Sequence, residues 1–341
     1  MFTFLPARNR PGLAAIVVLG VVFGAAPARP APGESGYHLV NSIHLEGTGG
    51  SARMALDAGT HRLFVVRATH VTVGDVERGR EIGKVTGTSG AHDVALVPKV
   101  GRGFTSNSAT NTVSIFSLRT LRGTSDHPET GARPEAIVYD SSSGRIFTMN
   151  ANSNNATPID AADDAAAGSV PLGGRPASAV TDGEGRVFVQ LQDRNEIAVL
   201  DAHVLRVVRR WPLAPCTPSA GLAIDTAHDR LFSACRDDTM SVLDTGSGRV
   251  VARTPIGHCA NVLGYDPGTS LLFAACDDGR LTVIRQESAD AYRVVDTIRT
   301  PPGARGLEID PSTHRVYLAV REGSHDRRGG GGSPVVLVYD R

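Results

Sequence analysis

The chain carries no net charge: 35 basic residues balance 35 acidic ones. Phosphate backbones are held by a basic excess or stripe, so a nucleic-acid partner is not expected. Methionine is scarce, with four residues, and tryptophan occurs once, at Trp211. The motifs of common chemistries are missing. There is no GxSxG elbow, no HExxH helix, no Walker loop and no GxGxxG after a strand. Neither CxxC, CxxCH nor a Cys/His zinc spacing occurs, so no metal, haem or other cofactor is expected. "GGGG" at Gly329–Gly332 has linker composition and no phosphate-loop context.

No apolar run is long enough to span a bilayer comfortably, which takes about 20 residues. The nearest is "LAAIVVLGVVFGAA", Leu13–Ala26, preceded by Arg8 and Arg10 and followed by Ala26-Pro27-Ala28. A positive start, a short apolar core and a small-x-small site describe a secretory signal peptide. Residues 1–28 are expected to be removed and 29–36 to form a linker. The mature chain is then periplasmic or secreted, a monomer, with no membrane span.

What the sequence has in quantity is glycine, 38 residues, and a repeat. An aromatic follows "GR" or its equivalent at Phe64, Phe104, Phe147, Phe188, Phe232, Phe273 and Tyr317. The gaps are 40, 43, 41, 44, 41 and 44 residues. Each unit runs in the same order. A small apolar stretch, commonly ending in aspartate ("MALD", "GLAID"), leads through a polar turn to the aromatic strand. An alternating strand such as "NEIAVLD" comes next, then a last run such as "VLRVVRRWPLA". Period-two alternation marks strands. Four short strands per unit of about 42 residues is the spacing of a propeller blade.

The fold class expected is all-β: a seven-bladed propeller of four-stranded antiparallel blades over 37–341. Its ends are complementary. "PVVLVYD" near the C-terminus reads as a third strand without a fourth, and "YHLVNSIHLEG" (Tyr37–Gly47) as a fourth without a third. Pairing them closes the ring and hides edge strands. Two units are irregular. Blade three carries Pro158 where a ladder donor is needed and an acidic turn, "DAADDAAAG". Blade seven carries "REGSHDRRGGGGSP" (Arg321–Pro334), whose composition predicts a mobile loop.

In such a ring the first strands line the central channel. Their lead-in segments bring Arg53, His92, Arg133, Glu135, Arg175, His258 and Arg305 to one mouth. Cations around a low-dielectric pore attract an anion, and arginine grips a carboxylate or phosphate with two prongs. Polar mouths also arise simply because channel water solvates them. The aspartates that recur once per blade, such as Asp57, Asp140, Asp225 and Asp310, are read as turn formers.

Export changes how the four cysteines read, because an oxidising compartment favours pairing. Cys216 and Cys259 precede the first strands of blades five and six, and Cys235 and Cys276 end the second strands. The start of one strand faces the end of its antiparallel neighbour, so Cys216–Cys235 and Cys259–Cys276 bridges are expected within their blades.

The phrases "GRGFTSN", "WPLAPC", "GLAIDTAHDRLFSAC", "LTVI" and "GARGLEIDPSTHRVYL" resemble the YVTN-type β-propeller repeat proteins, the YncE-like group, over about residues 37–341. The resemblance implies an exported propeller and adds weight to a bridge between the cysteines of "APC" and "SAC". It implies no activity. The YVTN string itself is degraded here, to "FVVRAT" and "FTSNSA" among others, and no WD dipeptide suggests an intracellular WD40 scaffold. The expected function is non-enzymatic binding or scaffolding. The partner would be a protein, a cell-envelope component or a small anion at the channel mouth. The alternative is a lactonase-like hydrolase with His92 or His258 as general base and Arg133 or Arg175 as oxyanion donor.

Overall fold

The computed structural model describes residue 1 and residues 33–47, 51–258, 260–322 and 333–341. Met1–Ala31 separates from Pro32–Arg341 as a unit of its own. The expected signal peptide after residue 1, half of the linker and most of the expected mobile loop lie outside the described residues, as does Cys259. No described helix is long and apolar enough to cross a membrane.

Pro32–Arg341 is a seven-bladed β-propeller. Six of its blades are four-stranded antiparallel sheets, and the last of these six, blade seven, takes its fourth strand from the N-terminal end of the propeller. His38–His44 pairs antiparallel with Ser333–Asp340, with Ile43 opposite Val336 and His38 opposite Asp340. The ring therefore closes as the complementary ends require.

Blade two is the exception. Three strands are regular, Ala91–Val97, Arg102–Asn107 and Thr112–Ser117. The fourth position holds an irregular segment tied on by single bridges, Thr112 to Glu129 and Phe116 to Gly123. Pro128, in this segment, has no ladder donor to give. In blade three Pro158 does sit in the third strand, opposite Phe147. Its carbonyl accepts from Ala167 on the outer side, and in an antiparallel strand the N–H and C=O of a residue point the same way. The missing donor therefore faces outward. The inner ladder is intact, and the outer strand shrinks to Val170–Pro171.

The repeat aromatics explain why blades associate. All seven are at most 1% exposed, and each belongs to a core shared with the next blade. Phe64 packs with Val94 of blade two, and Phe104 with Ile137 of blade three. Phe147 meets Ala179 and Val189 of blade four, and Phe188 meets Leu222 and Leu231 of blade five. Phe232 and Phe273 continue the pattern, and Tyr317 joins Met54 and Leu63 of blade one. No blade buries both faces alone.

The "GR" arginines add a second, polar layer on the face away from the mouth. Each reaches a carbonyl just past the third strand of the following blade. Arg62 donates to Leu118, Arg102 to Ala162, Arg145 to Ala202, Arg186 to Thr245 and Arg230 to Ala289, at 2.9–3.2 Å. Blade six has Leu271 in the equivalent register, and Arg315 of blade seven turns to Asp340 in its own blade. At the junction of blades six and seven other contacts take over. His314 pairs with Asp266 at 2.9 Å, and the segment before the N-terminal strand crosses to blade six. There Glu34 meets Arg293, Ser35 donates to Asp296, and Tyr37 packs edge-on against Phe273.

The recurring aspartates behave as turn formers. Asp225 accepts the Ala227 and His228 N–H groups, Asp310 those of Ser312 and Thr313, and Asp201 those of His203 and Val204.

One cysteine pair is bridged. Cys216 and Cys235 form a disulfide with Cα atoms 5.3 Å apart. Of the second expected pair, Cys259 lies outside the described residues; Cys276 is a buried free thiol, and burial pushes its pKa up to about 12. The bridge closes a loop of 19 residues, worth about 3 kcal/mol through the unfolded chain's lost freedom. Replacing both Cys216 and Cys235 by serine is therefore expected to lower the urea unfolding free energy by about that amount. The comparison is with oxidised wild-type protein.

Candidate functional site: the central channel and its mouth

The strand register identifies which residues face the channel. Counting back four places from the turn aspartate or its equivalent gives Arg53, Asp93, Ala136, Ser178, Gly221, Val262 and Gly306, one per blade. Counting back two gives Ala55, Ala95, Val138, Val180, Ala223, Gly264 and Glu308. Most of these are small or apolar, and together with their neighbours they line a cavity of about 210 Å³ on the axis. Three break the pattern: Arg53, Asp93 and Glu308.

Asp93 is buried and already satisfied. Its Oδ1 accepts the Val94 N–H at 2.9 Å and its Oδ2 accepts the Ile137 N–H of blade three at 3.3 Å. Its own N–H donates to Ser106 Oγ. Burial holds its carboxyl above the usual range, with Arg53 pulling the other way. Glu308 keeps partial exposure toward the lumen, where the surrounding blades crowd its carboxyl. Burial first, and then the charge of Asp93, push its pKa up to about 8, against the pull of Arg53 and the Leu56 N–H. Arg53 also donates to the Ala220 carbonyl at 3.5 Å.

His92 sits beside this group. Burial lowers its pKa, while Asp93 and Glu135 draw it upward and Arg53 and Arg133 push it down. Its Nδ1 is buried with no hydrogen-bond partner among the described residues.

Nearer the mouth, Arg133 Nε lies 2.8 Å from Glu135 Oε1, and Arg175 Nη2 lies 3.8 Å from the same oxygen. The two guanidiniums are 51% and 44% exposed and share one carboxylate that is only 14% exposed. Their charge is thus partly balanced, with one positive charge in excess.

Five of the seven expected site residues form two groups: Arg133, Glu135 and Arg175 at the rim, and Arg53 with His92 in the channel. His258 belongs to neither. Its imidazole pairs with Asp238 at 2.7 Å and its N–H donates to Asp278, in the loops of blades five and six. Arg305 is exposed, held by its backbone N–H on Ala319. Asp93 and Glu308 were missed by sequence reasoning. Their signal was a charged residue in a column that most other blades fill with small or apolar residues.

No group of three or more His, Cys, Asp or Glu side chains is arranged to hold a metal ion among the described residues. No family model and no curated protein matches the chain. The fold therefore stands on the structure, and no comparison ties the chain to the YVTN-type group.

The Glu308 carboxyl generates a prediction. Between the ordinary glutamate pKa of 4.5 and about 8, the folded state keeps this proton and the unfolded chain has lost it. Folding stability must then fall as pH rises through that window, by at most on the order of 5 kcal/mol. Glu308→Gln is expected to flatten this slope. Urea unfolding at pH 5 and pH 8 checks it: the variant should gain on wild type as pH rises, and an equal difference at both values would refute the assignment.

Proposed function

We propose that the mature chain is an exported binding protein, a YVTN-type propeller without enzymatic activity. Its ligand face is the channel mouth, and a small anion, carboxylate or phosphate, is its ligand there. One observation carries this reading. Arg133 and Arg175 converge from adjacent blades on a single oxygen of Glu135 and stay about half exposed, leaving donors free and one positive charge over. A planar anion at the rim would take two-pronged contacts from both. The low-dielectric wall below strengthens the attraction. Export is supported by the Arg8–Ala28 segment and agrees with the Cys216–Cys235 bridge, since disulfides persist in oxidising compartments. An envelope protein bearing an exposed carboxylate would use the same two arginines.

Calorimetric titration with acetate, succinate and phosphate tests the reading. Saturable binding is expected, and the Arg133→Ala, Arg175→Ala double variant should weaken it by at least about tenfold. Binding that the variant leaves unchanged, or none at all, refutes it.

A second reading, a lactonase-like hydrolase, is favoured by one feature. His92 is biased toward its neutral form by burial and has an unpaired Nδ1 next to Arg53 and Arg133, as a general base beside oxyanion donors requires. A lactone-hydrolysis assay decides it. Activity lost in His92→Ala and retained in His258→Ala supports this reading, and absence of turnover in the wild type removes it.

A further inference from the structure

A groove of about 640 Å³ opens on the outer wall between blades four and five. It is built from strand ends that lie away from the channel mouth. Arg186 starts the second strand of blade four, Asp201 ends the third, and Arg206–Pro212 is the fourth. Thr245 and Gly246, in the turn after the third strand of blade five, form the far side. The volume falls in the range of sites that take small organic molecules, about 300–1,000 Å³.

The floor is apolar. Val199 is 2% exposed and Trp211 5%. The indole lies 5.7 Å from the Phe188 ring, and Gly248 sits so close over it that any side chain there would overlap the ring. The floor is thus fixed from both sides. Val208 on the wall, and Val204 just before the strand, stay exposed.

The rim is cationic. Arg186, Arg206 and Arg209 face one carboxylate, Asp201. Asp201 offsets one of these charges. Its Oδ1 is taken by the His203 and Val204 N–H groups, and these bonds, with the charges of His203 and Arg206, keep its carboxyl below the usual range. Arg186 is held by Asp182 at 2.6 Å and by the Thr245 carbonyl. The guanidiniums of Arg206 and Arg209 make no hydrogen bond or ion pair among the described residues. The third arginine of the strand, Arg210, is spent on Glu196 and the Leu172 carbonyl. Charge on an outer strand guards against strand addition, and the outer strand of blade one does so with an internal ion pair: Arg80–Val85 sets Lys84 against Glu81 at 3.2 Å. Guarding an edge requires neither a concave wall nor a tryptophan floor.

We infer that this groove binds an organic anion, with an apolar body lying along Val199, Val208 and Trp211 and an acid head between Arg206 and Arg209. Charge complementarity selects the head, since Arg186 is balanced by Asp182 and Asp229 while Arg206 and Arg209 stand against the single carboxylate of Asp201. The valine and indole floor selects the body. A medium-chain carboxylate satisfies both.

Trp211 is the only tryptophan of the chain, so its fluorescence reports on this groove alone. Decanoate, titrated into the full mature protein, is expected to change that signal saturably. Arg206→Gln, Arg209→Gln should raise the half-saturation concentration by about tenfold or more, and Arg133→Ala, Arg175→Ala should leave it unmoved. Inorganic phosphate should give a far weaker response. No saturable change with decanoate, an unaltered response in the groove variant, or an equal response to phosphate would each overturn the inference. Loss through the rim variant instead would assign decanoate to the channel mouth.

Discussion

The structure depends on one packing relation: a buried aromatic on the second strand of each blade completes its core only against the first and second strands of the next. A two-sided sheet of four short strands exposes apolar surface on both faces, and solvent-facing apolar patches of that size are unfavourable. Repeating the relation around an axis satisfies every blade, provided the last meets the first. The pairing of His38–His44 with Ser333–Asp340 is therefore a requirement of the packing, since without it Tyr317 and Met54 would lose their shared core.

The same geometry explains where charge can sit. First strands converge on the axis, so their inward positions are crowded and mostly small. Charged groups placed there lose water and change character. Glu308 and Asp93 hold protons more tightly than carboxyls at the surface, and His92 more loosely than a free imidazole. Arg53 offsets part of the cost. Each of the two acids also receives an N–H from the neighbouring blade, Ile137 for Asp93 and Leu56 for Glu308. The channel acids are accordingly structural staples as well as ionisable groups. That dual role is the reason the rim arginines, rather than the deeper residues, are the better candidates for contact with a ligand.

Much of this was legible beforehand, for a physical reason. Blade spacing, the buried aromatic and the turn aspartate are local and repeated, so seven noisy copies reinforce one another. Closure of the ring could be read from two incomplete end units. What escaped depends on single blades or on contacts between them. Nothing in "ETGARPE" announces that Arg133 and Arg175 meet on Glu135, since the residues come from adjacent blades. Glu308 hid inside "GLEID", which reads as one more apolar strand. Pro128 emptied the fourth position of blade two, while the visible Pro158 did less damage because its missing donor points outward. "VLRVVRRWPLA" was legible as a strand, but the concavity beside it requires the turn of blade five.

The arginine latches run one way, each blade reaching forward to its successor, and they stop at blades six and seven. The seam there is held by the final strand pairing and by Glu34–Tyr37, which precedes all other described strands in the chain. The earliest part of the propeller to be synthesised is thus the piece that must wait longest for its partner. Until Ser333–Asp340 is made, His38–His44 has no strand to zip to, and the circle is secured by its own leading strand.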